Sequence, residues 1–570
     1  MSRREKREEE EKVKSKIISK ILIVAIFFSL VFLVLKIAPN YVNEEITDKT
    51  NLVINNSNVT DSLKNDIILE NGIIYISEED IENFFDPYIY YDEKYNQIVT
   101  TSDNYVASIV IGENAMTNNG SKVNISGTVI ERNETRYIPF SSMNSVYNVE
   151  INYINSSNTV TVDSLDRRYV TANSNKDNVI KSNPTILSRN VDEVKAGEEL
   201  IVVQNENSEN EIIGDWVEVR TDAGKLGYIK QKDISNETVK RQKKETTKQI
   251  EGKVSMVWDY YSEYWPAPDR SGTDIKGVNV VSPTMFTLVD EGQGRINDNA
   301  KEAGKKYIEW AHSNGYMVWP SLSNNSYIQT TSEIIRDYNL RNQLINNIIN
   351  LVLTYDLDGI NIDFENMYEE DKALFSRFII ELKPRLNEIG AVLSVDVTAP
   401  DGSPEWSMCY DRYTIGNVAD YIVFMAYDQN GITSPVEGTT AGYNWVKANI
   451  EKFLGQEGVE EEKLILGIPF YTRVWKEKNG EITSSAVNMK DLQDIVPANA
   501  SKTWDDDLKQ YYIEYIQDGT TYKIWSEDEE SIKYKLSLIK EYNLAGAAYW
   551  TKDRETDSIW NIISEELEVE

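Results

Sequence analysis

From Gly252 to the end of the chain, short and strongly apolar runs alternate with longer segments whose apolar positions recur every three to four residues. The runs read "KVSMVWDYY", "GVNVVSPTMFTL", "GYMVWPSLS", "LDGINIDFE", "AVLSVDVTAP", "ADYIVFMAYD", "KLILGIPFY" and "LAGAAYW". Near-continuous apolar runs of this length suit strands buried on both faces. Amphipathic segments between them, such as "DKALFSRFIIELKPRLNEIG", suit covering helices. Eight such strands predict a parallel (β/α)8 TIM barrel over 252–570. A doubly wound open sheet is the competing arrangement, but the glycine-rich phosphate loop expected at its first turn is missing. A long mixed segment, about 476–531, interrupts the alternation before the last strand and predicts a small α+β insertion.

Upstream the period changes. Between 65 and 165, short alternating runs broken by Asn, Gly and Ser predict a small β-rich module. Its "YISEEDIENFF", "RYIPFSSMNSVYNVEI" and "NTVTV" resemble the stalk-like repeat of bacterial surface proteins, a relative of the amino-terminal domain of copper amine oxidases; no copper ligands are present. Over 169–235 the pattern "GDWVEVRTDAGKLGYIKQKDI" pairs two strands across a Gly turn. It resembles the bacterial Src-homology-3-like domain attached to cell-wall enzymes, which implies wall binding or a passive spacer. Polar segments over 39–64 and 236–251 read as linkers. Ahead of them, a mixed basic and acidic tail (1–16) precedes "IISKILIVAIFFSLVFLVLKIA" (17–38), long enough as a helix to cross a bilayer, with Lys20 and Lys36 placed to reach the headgroups. The basic flank predicts a single-pass anchor with the amino terminus cytoplasmic and the rest extracytoplasmic. A cleaved signal peptide competes, but no A-x-A-like site follows Leu35.

The formal charge of −34 argues against a nucleic-acid partner, because an acidic surface repels phosphate. With one cysteine, Cys409, and one histidine, His312, no intramolecular disulfide and no Cys/His zinc cluster can be built. Chemistry on this chain has to run on carboxylates, tyrosines and amides, and no metal or organic cofactor is implied.

Carboxylates appear where such chemistry would sit. In the fourth run, Asn361, Asp363 and Glu365 recur at every second position, so a strand directs all three to one side at its carboxyl end. Burying acids in a row costs several kcal/mol unless each is paired; chance acids on an exposed strand end are the bland reading. The sixth run ends in Met425, Tyr427 and Asp428, the seventh in Tyr471 and Arg473, the last in Trp550. Aromatic faces and acids around one mouth are what sugar rings require.

"DGINIDFE" resembles the DxxDxDxE signature of family 18 glycoside hydrolases, and "MAYD" their M-x-Y-D motif; Trp550 matches their last strand. Within that family the chain looks most like the spore-cortex and cell-wall branch of β-N-acetylglucosaminidases. The resemblance implies Glu365 as the proton donor, Asp363 as the holder of the substrate acetamido N–H, Tyr427 as the donor to its carbonyl, and Asp428, Tyr471, Arg473, Met425 and Trp550 as substrate-binding. It implies substrate-assisted, retaining cleavage of an N-acetylglucosamine-containing polysaccharide, with peptidoglycan favoured over chitin or N-glycan; a non-hydrolytic sugar-binding protein and an anchored scaffold are the alternatives. Many chitinases have Asp at the place of Asn361, which here is expected to hydrogen-bond Asp363 without taking its proton.

Overall fold

The computed structural model describes residues 3–37, 49–205, 207–243 and 250–569. Residues 39–48 of the first expected linker and 244–249 of the second lie outside them. One helix, Arg3–Ile37, takes in both the expected tail and the apolar segment; within it Lys14–Phe32 is long and apolar enough to cross a membrane.

All eight apolar runs form parallel barrel strands: β1 (Val254–Asp259), β2 (Val280–Pro283), β3 (Met317–Val318 with Ser321–Ser323), β4 (Gly359–Asp363), β5 (Val392–Val397), β6 (Tyr421–Met425), β7 (Leu464–Pro469) and β8 (Gly546–Trp550). Strand β3 breaks at Trp319–Pro320: Met317 of its first half pairs with Val280 of β2, and its second half lies between Phe286–Leu288, a continuation of the second run, and β4, with Ser321 opposite Asn361. The barrel closes where Gly546 of β8 pairs with Val254 of β1. A Cβ at Gly546 would lie 1.9 Å from the Val254 carbonyl oxygen, so only glycine lets the two strands meet. Inside, Met256, Trp258, Val280, Trp319, Val423, Ile465 and Ala548 fill the lumen as a packed core.

Strict alternation fails once. Among the described residues no helix separates β1 from β2, and the terminal helix Ile559–Leu567 covers that gap. Gly277 lies against Ser564, and the Lys276 ammonium donates to Asn561 at 3.0 Å. The expected insertion is a five-stranded antiparallel sheet, and it begins at Tyr471 rather than 476. Strand β7 therefore ends at Pro469, before Tyr471 and Arg473.

Two expected boundaries move for one reason: strand partners distant in sequence. Asn51–Ile54, inside the first expected linker, pairs in parallel with Thr159–Val162, so the first β-rich module starts near 51. Thr238–Arg241, inside the second, pairs with Tyr169–Thr171 and completes the second module.

The modules are docked rather than strung out. Tyr90 of the first module donates to Glu381 (3.0 Å) and accepts from Arg341 (2.7 Å), both on barrel helices. Asp337 takes the Tyr95 hydroxyl at 2.9 Å, and Asn387 donates to the Asp103 carbonyl at 2.6 Å. Asp103, Asn104 and Asp166 of the module face Gly252, Val392, Tyr421 and Ala545 across a cavity of about 1160 Å³. That places the module at the amino-terminal ends of the strands, opposite the barrel mouth.

Candidate active site

Strand β4 delivers Asn361 and Asp363, and the turn after it delivers Glu365. Two polar clamps fix that turn. The side chain of Asn324, fully buried after β3, accepts from the Glu365 N–H (3.0 Å) and donates to its carbonyl (2.8 Å). Buried Tyr410 donates its hydroxyl to the Phe364 carbonyl at 2.7 Å. The Glu365 backbone is thus held from two neighbouring strand ends, which leaves little freedom to its side chain.

Asn361 does not bond Asp363, contrary to expectation. Its amide oxygen accepts the Trp258 indole N–H (3.0 Å), and its NH2 donates to Ser394 (3.0 Å) and Asp396 (2.8 Å). Strand geometry explains the difference: residues two apart on one strand are about 6.6 Å apart, whereas the neighbouring strand β5 lies about 4.8 Å away, and the long Trp258 indole reaches Asn361 across the lumen from β1. An Asp at 361 would lose both donated bonds and set a second carboxyl against Asp396.

Asp396, on β5, is the acid that the motif reading passed over. Its signal was present in "AVLSVDVTAP", an acid inside an otherwise apolar run, which is the pattern that singled out β4. It is 2% exposed. Burial, then the charges of Asp363 and Glu365, push its carboxyl well above the usual range, opposed by the Asn361 bond. Burial raises Asp363 to about 6; burial, Asp363 and Asp428 together raise Glu365 to about 8. Asp363 Oδ1 is buried without a hydrogen-bond partner among the described residues. Three carboxyls thus share one water-poor space: burial first and mutual repulsion second hold protons on Asp396 and Glu365 at neutral pH, while Asp363, raised only to about 6, is the one that ionises.

The linkage has a definite sign. An acid raised on folding costs nothing below its unfolded value, and stability is then lost as pH climbs to the folded value, about 1.4 kcal/mol per unit. Asp396→Asn should therefore lose less stability between pH 4 and pH 8 than the parent chain, read as melting temperature against pH on the whole protein. Parallel curves for the two proteins would show that Asp396 is not held protonated.

The other expected residues fall into two groups. Tyr427 sits among the acids, and burial followed by Asp396 raises its hydroxyl well above its ordinary value. Its ring meets that of Tyr471 edge-on at 6.3 Å. Tyr471 donates to Asp428 at 2.8 Å, and Arg473 approaches the same carboxylate at 3.7 Å. Met425 is buried at the end of β6. Trp550 meets Trp258 edge-on at 5.7 Å, so an indole pair leads from the last strand to Asn361. Asp259, also missed, ends β1 buried and receives a two-pronged bond from Arg270 (2.9 and 3.0 Å), which reaches Asp553 beyond β8. Trp504 and Tyr511 of the insertion pack edge-on at 4.9 Å, and Tyr512 and Trp525 lie 5.1 Å apart. His312 lies in the last turn of the helix Lys301–Ser313, 3.0 Å from Asp358, and takes no part in the site.

Buried acids and aromatic rings at the carboxyl ends of (β/α)8 strands define a carbohydrate-processing barrel. The chain belongs to family 18 of the glycosyl hydrolases, whose sequence model matches residues 256–555. The model of the copper amine oxidase N-terminal domain matches residues 53–162. Among curated relatives, the uncharacterized glycosylase YvbX of Bacillus subtilis is 28% identical over 50% of this chain and 84% of its own length. The putative sporulation-specific glycosylase YdhD of B. subtilis is 30% identical, over 38% of this chain and 52% of its own length. The cortical fragment-lytic enzyme of Bacillus anthracis is 24% identical, over 44% of this chain and 60% of its own. The chain thus spans about half to three-fifths of the length of the last two.

Proposed function

We propose that the protein is a membrane-anchored, extracytoplasmic glycosidase that cleaves β-linked N-acetylglucosamine-containing glycan, with peptidoglycan as substrate, by a substrate-assisted retaining mechanism. One observation carries this reading: a barrel-mouth glutamic acid whose carboxyl is raised to about 8, beside an aspartate with a buried, unpartnered oxygen. Glu365, protonated at neutral pH, gives its proton to the glycosidic oxygen as the C1–O bond breaks. The acetamido carbonyl oxygen of the substrate closes on C1, forming an oxazolinium ion in place of an enzyme ester. The free Oδ1 of Asp363 takes the acetamido N–H and offsets the positive charge that develops there. Tyr427 donates to the acetamido oxygen and orients it. Water then opens the ring from the face the leaving group vacated, Glu365 takes its proton, and configuration is retained.

Asp428, steadied by Tyr471 and Arg473, binds sugar hydroxyls, and Met425 lines the wall of the site. Trp550 floors the site with its indole face. Asn361 positions the layer beneath by holding Trp258 and Asp396. The helix around Lys14–Phe32 supplies the anchor and keeps the barrel outside. Relatedness to glycosylases of the sporulation and cortex-lytic type supports peptidoglycan over chitin.

The test is digestion of purified peptidoglycan, chitin and N-glycan by the full chain in detergent, with mass spectrometry of the products. Peptidoglycan fragments ending in reducing N-acetylglucosamine, released first as the β anomer, are expected. Products from chitin alone would reassign the substrate, and no products from any of the three would leave a sugar-binding protein.

A further inference from the structure

The joint between the two β-rich modules is built, not incidental. Arg220 of the second module makes a two-pronged, buried bond to Asp163 of the first, at 2.9 and 2.6 Å. Beside this pair a cavity of about 140 Å³ opens between the modules. Asn55, Asn56, Arg167, Gln204 and Asn205 line both the cavity and a groove of about 800 Å³, so the two share a wall.

Four cations surround the cavity: Arg167, Arg168, Arg241 and Lys243. The one acid in its lining, Asp163, is already taken by Arg220. Arg168 donates to the Gln204 side chain (2.8 Å) and the Ser208 carbonyl (2.9 Å). Arg241 donates to the carbonyls of Ser164 and Arg167 and lies 5.2 Å from the Tyr169 ring. Among the described residues, none of the four cations forms an ion pair with a carboxylate. Asn56 adds a buried amide oxygen that has no donor among the described residues. Like charges gathered in a cleft repel one another, and in a chain of net charge −34 acids were abundant to neutralise them.

We propose that this cleft binds an oxyanion carried on a polysaccharide, a sugar carboxylate or a phosphate ester, with the cations gripping the anion and the amides reading neighbouring hydroxyl and acetamido groups. The cavity suits a single anionic group, and the groove, with Glu211 and Glu218 in its wall, admits an uncharged stretch of the chain that bears it. Lying beside the module docked at the amino-terminal end of the barrel strands, the cleft holds polymer at a point separate from the mouth where cleavage occurs. That the polymer is the one the barrel cuts rests on the proposed function; the anion site does not.

Titration calorimetry on the full chain in detergent micelles tests this with three probes: N-acetylmuramic acid, glycerol 3-phosphate and uncharged N-acetylglucosamine. One of the two anions is expected to bind in 1:1 ratio, more weakly as salt rises, and its identity names the source of the oxyanion. The double variant Arg167→Gln/Lys243→Gln changes two exposed side chains and should weaken that binding about tenfold, or about 1.4 kcal/mol. Glu365→Gln should leave it unchanged. Absence of binding by both anions, indifference to the double variant, or loss of binding with Glu365→Gln would each overturn the proposal. Hydrolysis of glycan by the double variant, measured in parallel, reports on the barrel alone and separates failure of the cleft from failure of the proposed activity.

Discussion

Glu365→Gln is expected to lower the rate of glycan cleavage by a factor of about 10² to 10⁴ while glycan binding persists, since one positioned proton donor is worth about that much. Gln keeps the shape of the side chain and its neutral charge near pH 7, so the Asn324 and Tyr410 clamps on the backbone are undisturbed. The same carboxyl sets the alkaline limb of the profile. The active form is protonated, so kcat/KM of the parent should fall as pH rises through about 8. Residual turnover within tenfold of the parent, or a profile flat across pH 8, would take the proton-donor role away from Glu365.

The largest effect on stability is expected away from the mouth. Arg341 and Glu381 are 3% and 1% exposed and make a two-pronged bond at 2.7 and 2.8 Å, with Tyr90 of the first module bridging them. Removing one partner of a buried ion pair strands the other charge, at about 3 to 5 kcal/mol. Arg341→Met should lower barrel stability by that amount in urea unfolding. The double variant Arg341→Met/Glu381→Met, which leaves no stranded charge, should recover most of it. Tyr90→Phe removes only the bridge, so it should cost about 1 kcal/mol and expose the module joint to protease before the barrel. A loss below 1 kcal/mol for Arg341→Met would mean that water reaches the pair.

The acids illustrate how far local pattern reaches. Period two along "NIDFE" says that Asn361, Asp363 and Glu365 share a side, because alternation is a property of one extended strand. It does not say what each side chain touches. The alternation sets Asn361 toward Asp363, yet its partners come from β5, the adjacent strand, and from β1, whose Trp258 indole spans the lumen that barrel closure creates. Asn324 carries no acid and belongs to no motif, and its role exists only because β3 ends beside β4.

The amino-acid sequence by itself determined the eight strand runs, the apolar helix, the β-rich character of the two modules and those acids and aromatic residues of the mouth that stand in local patterns, but not Asp259 or Asp396. Each is written in residues close together, through apolar period, turn chemistry or charge. Tertiary structure alone decided the Asn361–Asp396 pairing, the module boundaries at Asn51 and Arg241, the docking of Tyr90 on Arg341 and Glu381, and the cationic cleft. All of these join residues between about 35 and 290 positions apart. Such contacts form because closing the barrel and burying each module's edge fixes which distant surfaces meet, and no local period encodes that choice.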